Sequence, residues 1–384
     1  MKNLGKNKIV SIFSGIDILG LGFKDEFDVV LAVEKEALAC ETLRKNKDKY
    51  HPNMKVINKD IFTISDEEIL KYKGISGIIG GAPCQAYSNA KATFDPNDER
   101  INCLFEYVRW VNLIRPEFFV LENTDALTQD KKKYILDSFI SQSSNLGYKI
   151  KWKILNAHEH GNVQKRKRII LVGVRDDIKR EFQFPTPCIE RKYVKDIIIP
   201  GEEVGECAKY DEKRAYVASF VPQGGNWRDL PTEELKKLAL LGNYAPEKRK
   251  GGMTGVYRRL SMSDGYVCPT LVTSPTQRNT LCIHPLEDRP LSIKEYKRAQ
   301  GIPDDYVVLG STANKYKFIG NAVPLEMAKA ISNNVYKSLY YECEFKVEIF
   351  EDILKDNMEL EFKKIELKEN KIDNDGSFQI GFVI

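Results

Sequence analysis

Histidine and paired cysteine are what this chain of 384 residues is short of: it has four histidines, and its eight cysteines stand singly, with no C-x-x-C pair. Nothing therefore has the spacing of zinc ligands, and no metal is expected. Scattered single thiols suit a reducing compartment. No apolar run is long enough to span a bilayer. After the basic start MKNLGKNKIVSIF, Ser11, Ser14 and Asp17 interrupt the core that a signal peptide would need. The expected location is the cytoplasm, with no membrane partner. Low-complexity tracts and internal repeats are also missing, which excludes a solenoid or a long disordered chain. There is no G-x-G-x-x-G after the first strand, which disfavours a dinucleotide oxidoreductase.

What is present is the composition of a large globular domain with a smaller one: 42% hydrophobic and 30% charged residues. The net charge of +4 is unevenly spread. From Tyr341 onward there are 12 acidic and 6 basic residues, so that tail carries −6 and the body before it +10. A body that basic suits a polyanionic partner, and suits a merely well-solvated surface about as well. Short β-rich runs, at 8–13, 28–34, 54–61, 77–82, 118–124, 149–155 and 168–174, alternate with helical patterns that include 36–49, 102–114 and 130–145. That alternation predicts an α/β fold with a parallel, doubly wound sheet. After Arg175 the alternation fades and Gly, Pro, Tyr and basic residues rise, which predicts a smaller, loop-rich domain over 176 to about 290. Helical segments follow near 292–300 and 322–340, and then the acidic tail, an add-on lobe or a partner surface.

Ligands of open α/β sheets bind outside the carboxyl ends of the strands, so the residues at those ends define the candidate site. The first strand ends in Phe13-Ser14-Gly15-Ile16-Asp17, the second at Glu34, the third at Asp60, the fourth at Pro83-Cys84 and the fifth at Glu122-Asn123. Glu34 follows the first turn by about 20 residues, the spacing at which a carboxylate holds the ribose hydroxyls of a nucleotide cofactor. An adenosine cofactor without a pyrophosphate needs that clamp and not the phosphate-cradling glycines, and S-adenosylmethionine fits. Phe13 could stack on the adenine or belong to the core. A reactive thiol at Cys84 needs a positive setting. Arg166 and Arg168, two apart just before a strand, offer one on a single side.

At this point the residues resemble a known family, the DNA methyltransferases that modify carbon 5 of cytosine. The matching stretches, in that family's order, are FSGIDILGLGF (13–23), AVEKEALACETL (32–43), NKDI (58–61), GGAPCQAYSNA (80–90), LENT (121–124), QKRKRIILVGV (164–174), RPLSIKEYKRAQGIPDDY (289–306) and FIGNAVPLEMAKAI (318–331). The resemblance implies a class I S-adenosylmethionine-dependent methyltransferase, a Rossmann-like doubly wound sheet with a loop-rich target-recognition domain. Its catalytic domain would be discontinuous, 1–175 plus about 320–340. The recognition domain would cover about 176–290, with 291–319 linking the two and 341–384 as an acidic extension. Cys84 would add to carbon 6 of the ring. Glu122 would hold N3 and the exocyclic amine as a proton donor, Arg168 would contact O2, and Arg166 would support the Cys84 loop or the developing charge. The cofactor pocket maps onto Phe13, Gly15, Glu34, Asp60, Ile61, Pro83, Asn321 and Val323. The chain departs from the family in one place: Asp17-Ile18 stands where two glycines are usual, so side chains would crowd the methionine end of the cofactor or the turn would shift toward Gly20.

Chemistry on a base requires flipping it from the duplex. The stretch Gln85–Arg100 resembles the loop that closes over a flipped base, with Gln85, Ser88 and Arg100 as its expected DNA contacts. In the recognition domain, phosphate contacts are expected from all or some of Lys248, Arg249, Lys250, Arg258 and Arg259, and Thr270, in a Thr-Leu pair often found in that domain of the family, is expected to contact DNA. The implied partners are double-stranded DNA and, for the methylase of a restriction–modification system, a cognate endonuclease. An orphan methylase is equally compatible, and in either setting a monomer is expected. Two rival readings of the same motifs are an RNA cytosine-5 methyltransferase and a catalytically silent DNA-binding module.

Overall fold

The computed structural model describes residues 6–83, 95, 98–198, 203–231, 233–234, 257–276 and 282–341. The chain divides into a unit Met1–Tyr340 and a second, Tyr341–Ile384; of the second, only Tyr341 is among the described residues.

The first unit is built on seven strands: β1 (Asn7–Ile12), β2 (Phe27–Glu34), β3 (Lys55–Asn58), β4 (Gly77–Gly80), β5 (Phe118–Thr124), β6 (Tyr148–Asn156) and β7 (Lys167–Arg175). Their spatial order is β3-β2-β1-β4-β5-β7-β6. The chain winds outward from β1 through β3, then returns to lay β4 on the other side of β1. The direction of winding therefore reverses between β1 and β4, where an open sheet leaves a crevice at its carboxyl edge. The sheet is not wholly parallel, which corrects the expectation from the alternating pattern. β7 runs antiparallel to both β5 and β6. The physical reason is the link between β6 and β7: Ala157–Arg166 carries only a 3₁₀ turn at Ala157–His160, too little for the crossover a parallel pair needs.

Helices cover both faces. On one lie α3 (Asp66–Leu70), α4 (Asn102–Ile114) and α5 (Asp130–Asn145), whose Ile69, Tyr107, Val111 and Phe139 pack with Val10, Ile78, Leu121 and Leu171. On the other lie α1 (Ile18–Phe23) and, from the far end of the chain, α9 (Leu325–Leu339). There Met327, Ala328, Ile331 and Val335 join Phe23, Phe27, Phe118 and Val172 in a second core. α2 (Ala37–Tyr50) connects β2 to β3, and α6 (Glu212–Ser219), α7 (Ile293–Ala299) and α8 (Thr312–Asn321) complete the set in chain order.

The 176–290 segment is loop-rich, with α6 and a two-stranded ribbon, β8 (Arg258–Arg259) and β9 (Cys282–Ile283). A small core of Val217, Trp227, Leu230, Tyr257 and Ile283 holds it. Leu260, Cys268 and Leu271 from the same segment pack with Ile16 and Ile18 of the first turn and with Tyr296 and Tyr316 of α7 and α8. Among the described residues no helix is long and apolar enough to cross a membrane.

Candidate cofactor and target-base site

The carboxyl edge of β1, β2, β4 and β5 opens on a cavity of about 410 Å³. Phe13, Gly15, Glu34, Asp60, Ile61, Pro83, Asn321 and Val323, the whole set expected at a cofactor, line it, and so do Glu122, Arg166, Arg168 and Arg100. Cys84, Gln85, Ser88, Lys91, Asn97, Lys248, Arg249 and Lys250 lie outside the described residues.

At the first turn the backbone takes left-handed conformations at Phe13 (φ 53), Gly15 (φ 55) and Asp17 (φ 50). Such angles are uncommon for residues other than glycine and cluster where a site constrains the chain. Glu34 fixes this turn. Its Oε2 accepts from the Gly15 N–H at 2.8 Å, and its Oε1 accepts from the N–H groups of Lys35 at 2.9 Å and Glu36 at 2.8 Å. A carboxylate held by three backbone donors is pre-aimed, with lone pairs left over for hydroxyls in the cavity. Asp60 is similarly set, its Oδ1 accepting from the Phe62 N–H at 3.2 Å. Lys317 of α8 donates to Glu36 at 2.9 Å across the mouth, a contact that no local pattern in the sequence announces.

The Asp17-Ile18 departure is resolved by packing. Ile18 joins the cluster around Leu260 and Tyr296. Asp17 folds back, 2% exposed, with its Oδ1 accepting from Ser11 Oγ at 2.6 Å and from the Gly20 N–H at 3.1 Å. Gly20 makes this possible, because a Cβ there would stand 2.1 Å from Asp17 Oδ2. Burial pushes the Asp17 carboxyl up to about 7, against the lowering pull of those two hydrogen bonds. Gly20→Ala is expected to destabilise the protein by about 1–3 kcal/mol through overpacking. Asp17→Gly in the same chain should remove most of that loss. Urea denaturation of the wild type, the two single variants and the double variant measures the coupling, and equal losses in both backgrounds would refute it.

At the other end of the cavity Glu122 is buried at the end of β5 and pairs with Arg168 of β7, Nε to Oε1 at 2.9 Å. The antiparallel register, Thr124 opposite Arg168, brings the arginine alongside. Gly81 gives the carboxylate room, since a Cβ there would lie 2.9 Å from Glu122 Oε2. Burial raises the Glu122 carboxyl, while Arg168 and Arg166 pull it down. The neighbouring Asn123 donates from Nδ2 to the Ala82 carbonyl at 3.2 Å, tying β5 to the turn that leads through Pro83 into Cys84. Sequence reasoning gave this asparagine no role of its own, although it stands beside Glu122 in the matched stretch.

Arg166 is buried and donates to the Leu271 carbonyl at 3.0 Å and the Gly320 carbonyl at 2.8 Å. It thus joins the β6–β7 link to the 257–276 segment and to the end of α8. Gln164 reinforces the junction, donating from Nε2 to the Gln300 side chain at 2.8 Å and accepting from the Leu271 N–H at 3.2 Å. Thr270 is part of the same junction: its hydroxyl donates to the Lys165 carbonyl at 2.6 Å. Arg259 requires a correction. It was expected on DNA phosphate, but it is buried and donates to the carbonyls of Val221 and Ala218 at 2.6 Å and of His284 and Glu287 at 3.0 Å, and pairs with Asp288. Arg258, its neighbour in β8, is only partly buried. Arg100 is exposed, with its Nε donating to Asp98 at 2.8 Å.

A sheet of this strand order, with one antiparallel strand set between its last two and acidic strand ends facing one cavity, is the class I fold of S-adenosylmethionine-dependent methyltransferases. The solved structures agree: the Entamoeba histolytica methyltransferase EhMeth superposes with a TM-score of 0.63 at 15% identity, over 87% of this chain and 98% of that one. S. pombe Dnmt2 methyltransferase gives 0.61 at 14%, over 88% and 100%. Within that class the chain belongs to the C-5 cytosine-specific DNA methylases, whose family profile matches residues 7–337. It is 37% identical over 341 residues to the type II methyltransferase M.PspPI of Psychrobacter sp. (strain TA137), covering 86% of this chain and 79% of the relative. To the type II methyltransferase M.Sau96I of Staphylococcus aureus it is 34% identical over 347 residues, covering 87% and 77%.

Proposed function

We propose that the protein methylates carbon 5 of a cytosine flipped out of double-stranded DNA, within one short recognition sequence. The observation that carries this reading is the cavity itself, in which a backbone-fixed Glu34 at one end and a buried Glu122–Arg168 pair at the other share one wall. S-adenosylmethionine, held by Phe13, Glu34, Asp60 and Ile61 on the strand ends and by Asn321 and Val323 after α8, supplies the methyl group when bound. Cys84, which follows Pro83 in the chain, adds its thiolate to carbon 6 of the ring. Glu122, protonated, delivers its proton to N3, where the electron pair displaced by thiolate addition arrives, and becomes a carboxylate. Arg168 neutralises O2, and Arg166 holds the surrounding elements in register. Carbon 5, now nucleophilic, takes the methyl; loss of its proton to solvent then expels the Cys84 thiolate, and N3 returns its proton to Glu122, which restores the neutral aromatic ring and the acid.

The partly buried Arg258, the exposed Arg100 and the expected loop contacts Gln85 and Ser88 are the proposed DNA neighbours, and Thr270 braces the junction behind them. Because the relatives are named type II methyltransferases, the proposed setting is a restriction–modification system, with an endonuclease that acts on the same site. Purified protein incubated with S-adenosylmethionine and unmethylated genomic DNA should leave methylated cytosine at one motif by bisulfite sequencing, and Cys84→Ala should leave none. Methylation absent from the wild type, or present in Cys84→Ala, would overturn the reading.

A further inference from the structure

Asp17 is a buried carboxyl with half of its hydrogen-bonding capacity unmet. Oδ1 is engaged by Ser11 and by the Gly20 N–H. Oδ2 is buried with no hydrogen-bond partner. Leaving such an atom unsatisfied costs free energy, and this chain gives up a side chain at residue 20 to keep it. The residue is also part of the wall of the cofactor cavity, on the turn between Gly15 and α1. Its surroundings hold no counter-ion. Ser11 faces it from β1 and Gly20 from α1, and no cationic side chain enters its charge balance among the described residues. From the 302–310 segment comes Tyr306, whose hydroxyl donates to the Ile16 carbonyl at 2.7 Å and whose own ionisation is opposed first by burial and then by the charge of Asp17. A carboxyl is thus built into the cavity wall with no cationic side chain beside it among the described residues.

We propose, resting on the S-adenosylmethionine reading above, that Asp17 is the counter-charge for the cationic methionine end of the cofactor, and that cofactor binding draws the proton from its carboxyl. The cation has two sources, the sulfonium and the α-ammonium, and the probes separate them. S-adenosylmethionine carries both, S-adenosylhomocysteine only the ammonium, and methylthioadenosine neither. Before binding, burial keeps the carboxyl protonated to about pH 7. A nearby cation favours the charged form, so the proton leaves.

The test is calorimetric titration of the full chain at pH 6.5, below the range in which an α-amino group titrates (about 7.7–8.0). Buffers of different ionisation enthalpy then report the protons exchanged. The expected result is release of roughly half a proton or more with S-adenosylmethionine, since a carboxyl titrating near 7 is mostly protonated there. That release should be lost in Asp17→Asn and kept in Glu122→Gln, and Asp17→Asn should bind roughly tenfold more weakly, a loss of about 1.4 kcal/mol. Release with S-adenosylhomocysteine too, but not with methylthioadenosine, assigns the ammonium; release with S-adenosylmethionine alone assigns the sulfonium. Tight binding with no release, with proton uptake, or with the same release in Asp17→Asn overturns the inference and leaves the cofactor reading standing. No binding of S-adenosylmethionine by the wild type overturns both.

A melting series controls for folding. The native carboxyl holds its proton to about 7, while the unfolded chain gives it up near 3.9. This group therefore favours the folded state most at low pH, and that contribution is lost as pH rises toward 7. Asp17→Asn should lose that part of the fall in melting temperature. A variant that melts with the wild-type pH profile would count against the buried, proton-holding carboxyl itself.

Discussion

Glu122→Gln is expected to lower the rate of methyl transfer by roughly 10²–10⁴-fold, the usual contribution of a general acid. Glutamine keeps the shape of the residue and its place beside Gly81, so the cavity should survive. What it lacks is a proton that can be given up. The ring would then have to carry the charge that follows thiolate addition, and carbon 5 would stay a poor nucleophile. The pH dependence has a definite sign. Burial raises the Glu122 carboxyl, although Arg168 and Arg166 pull it down; the proposed mechanism uses the acid form, so the rate should fall as pH rises through that raised value. Glu122→Gln should lose this limb of the profile. Single-turnover transfer of a labelled methyl group, measured against pH, reads both effects. A variant within a few-fold of wild type would remove Glu122 from the chemistry.

The second large effect is one of stability. Arg259→Met is expected to destabilise the protein by about 3–5 kcal/mol, the order seen when one partner of a buried charged network is removed. The carbonyls of Val221, His284 and Glu287 would lose this donor together, Ala218 would keep only its backbone N–H partners, and Asp288 would lose its cation. Each buried acceptor left without a partner is costly. The variant that still folds should bind DNA with an unchanged salt dependence, because no phosphate contact is lost. Urea denaturation measures the first quantity, and affinity against salt concentration the second. The opposite pattern, unaltered stability with a log–log salt slope reduced by about one, would identify a phosphate contact after all.

The fate of Arg258 and Arg259 illustrates what a sequence can and cannot convey. Two adjacent arginines in a loop-rich basic region read as one phosphate-binding pair. In a strand, however, neighbours point to opposite faces, and once β8 forms only one of them can face outward. The strands, and the helices α2, α4 and α5, were legible because their apolar patterns are regular; the short α3 was not. The reversed direction of β7 was not, because the pattern of a buried strand is the same either way. Its signal was the shortness of the Ala157–Arg166 link. At the site, Glu34, Asp60 and Glu122 were legible as strand-end carboxylates, since a shared edge is a consequence of topology. The accommodation of Asp17 was not, because it depends on an absence three residues further on, the missing side chain of Gly20. Arg166 and Thr270 carry roles as braces that only the meeting of distant segments creates.

The placement of α9 over α1 has a consequence for the chain as it is made. Everything needed to form the seven strands has emerged once Arg175 is out, but Met327, Ala328, Ile331 and Val335 still have to be translated. At about 5–20 residues per second that interval lasts roughly ten to thirty seconds. Throughout it Phe23 of α1 and the sheet face bearing Phe27, Phe118 and Val172 lack their final cover, so the nascent protein passes through a sticky intermediate whose lifetime is set by the ribosome. A chain that stalls or terminates before α9 remains in that state and becomes a client for chaperones or proteases.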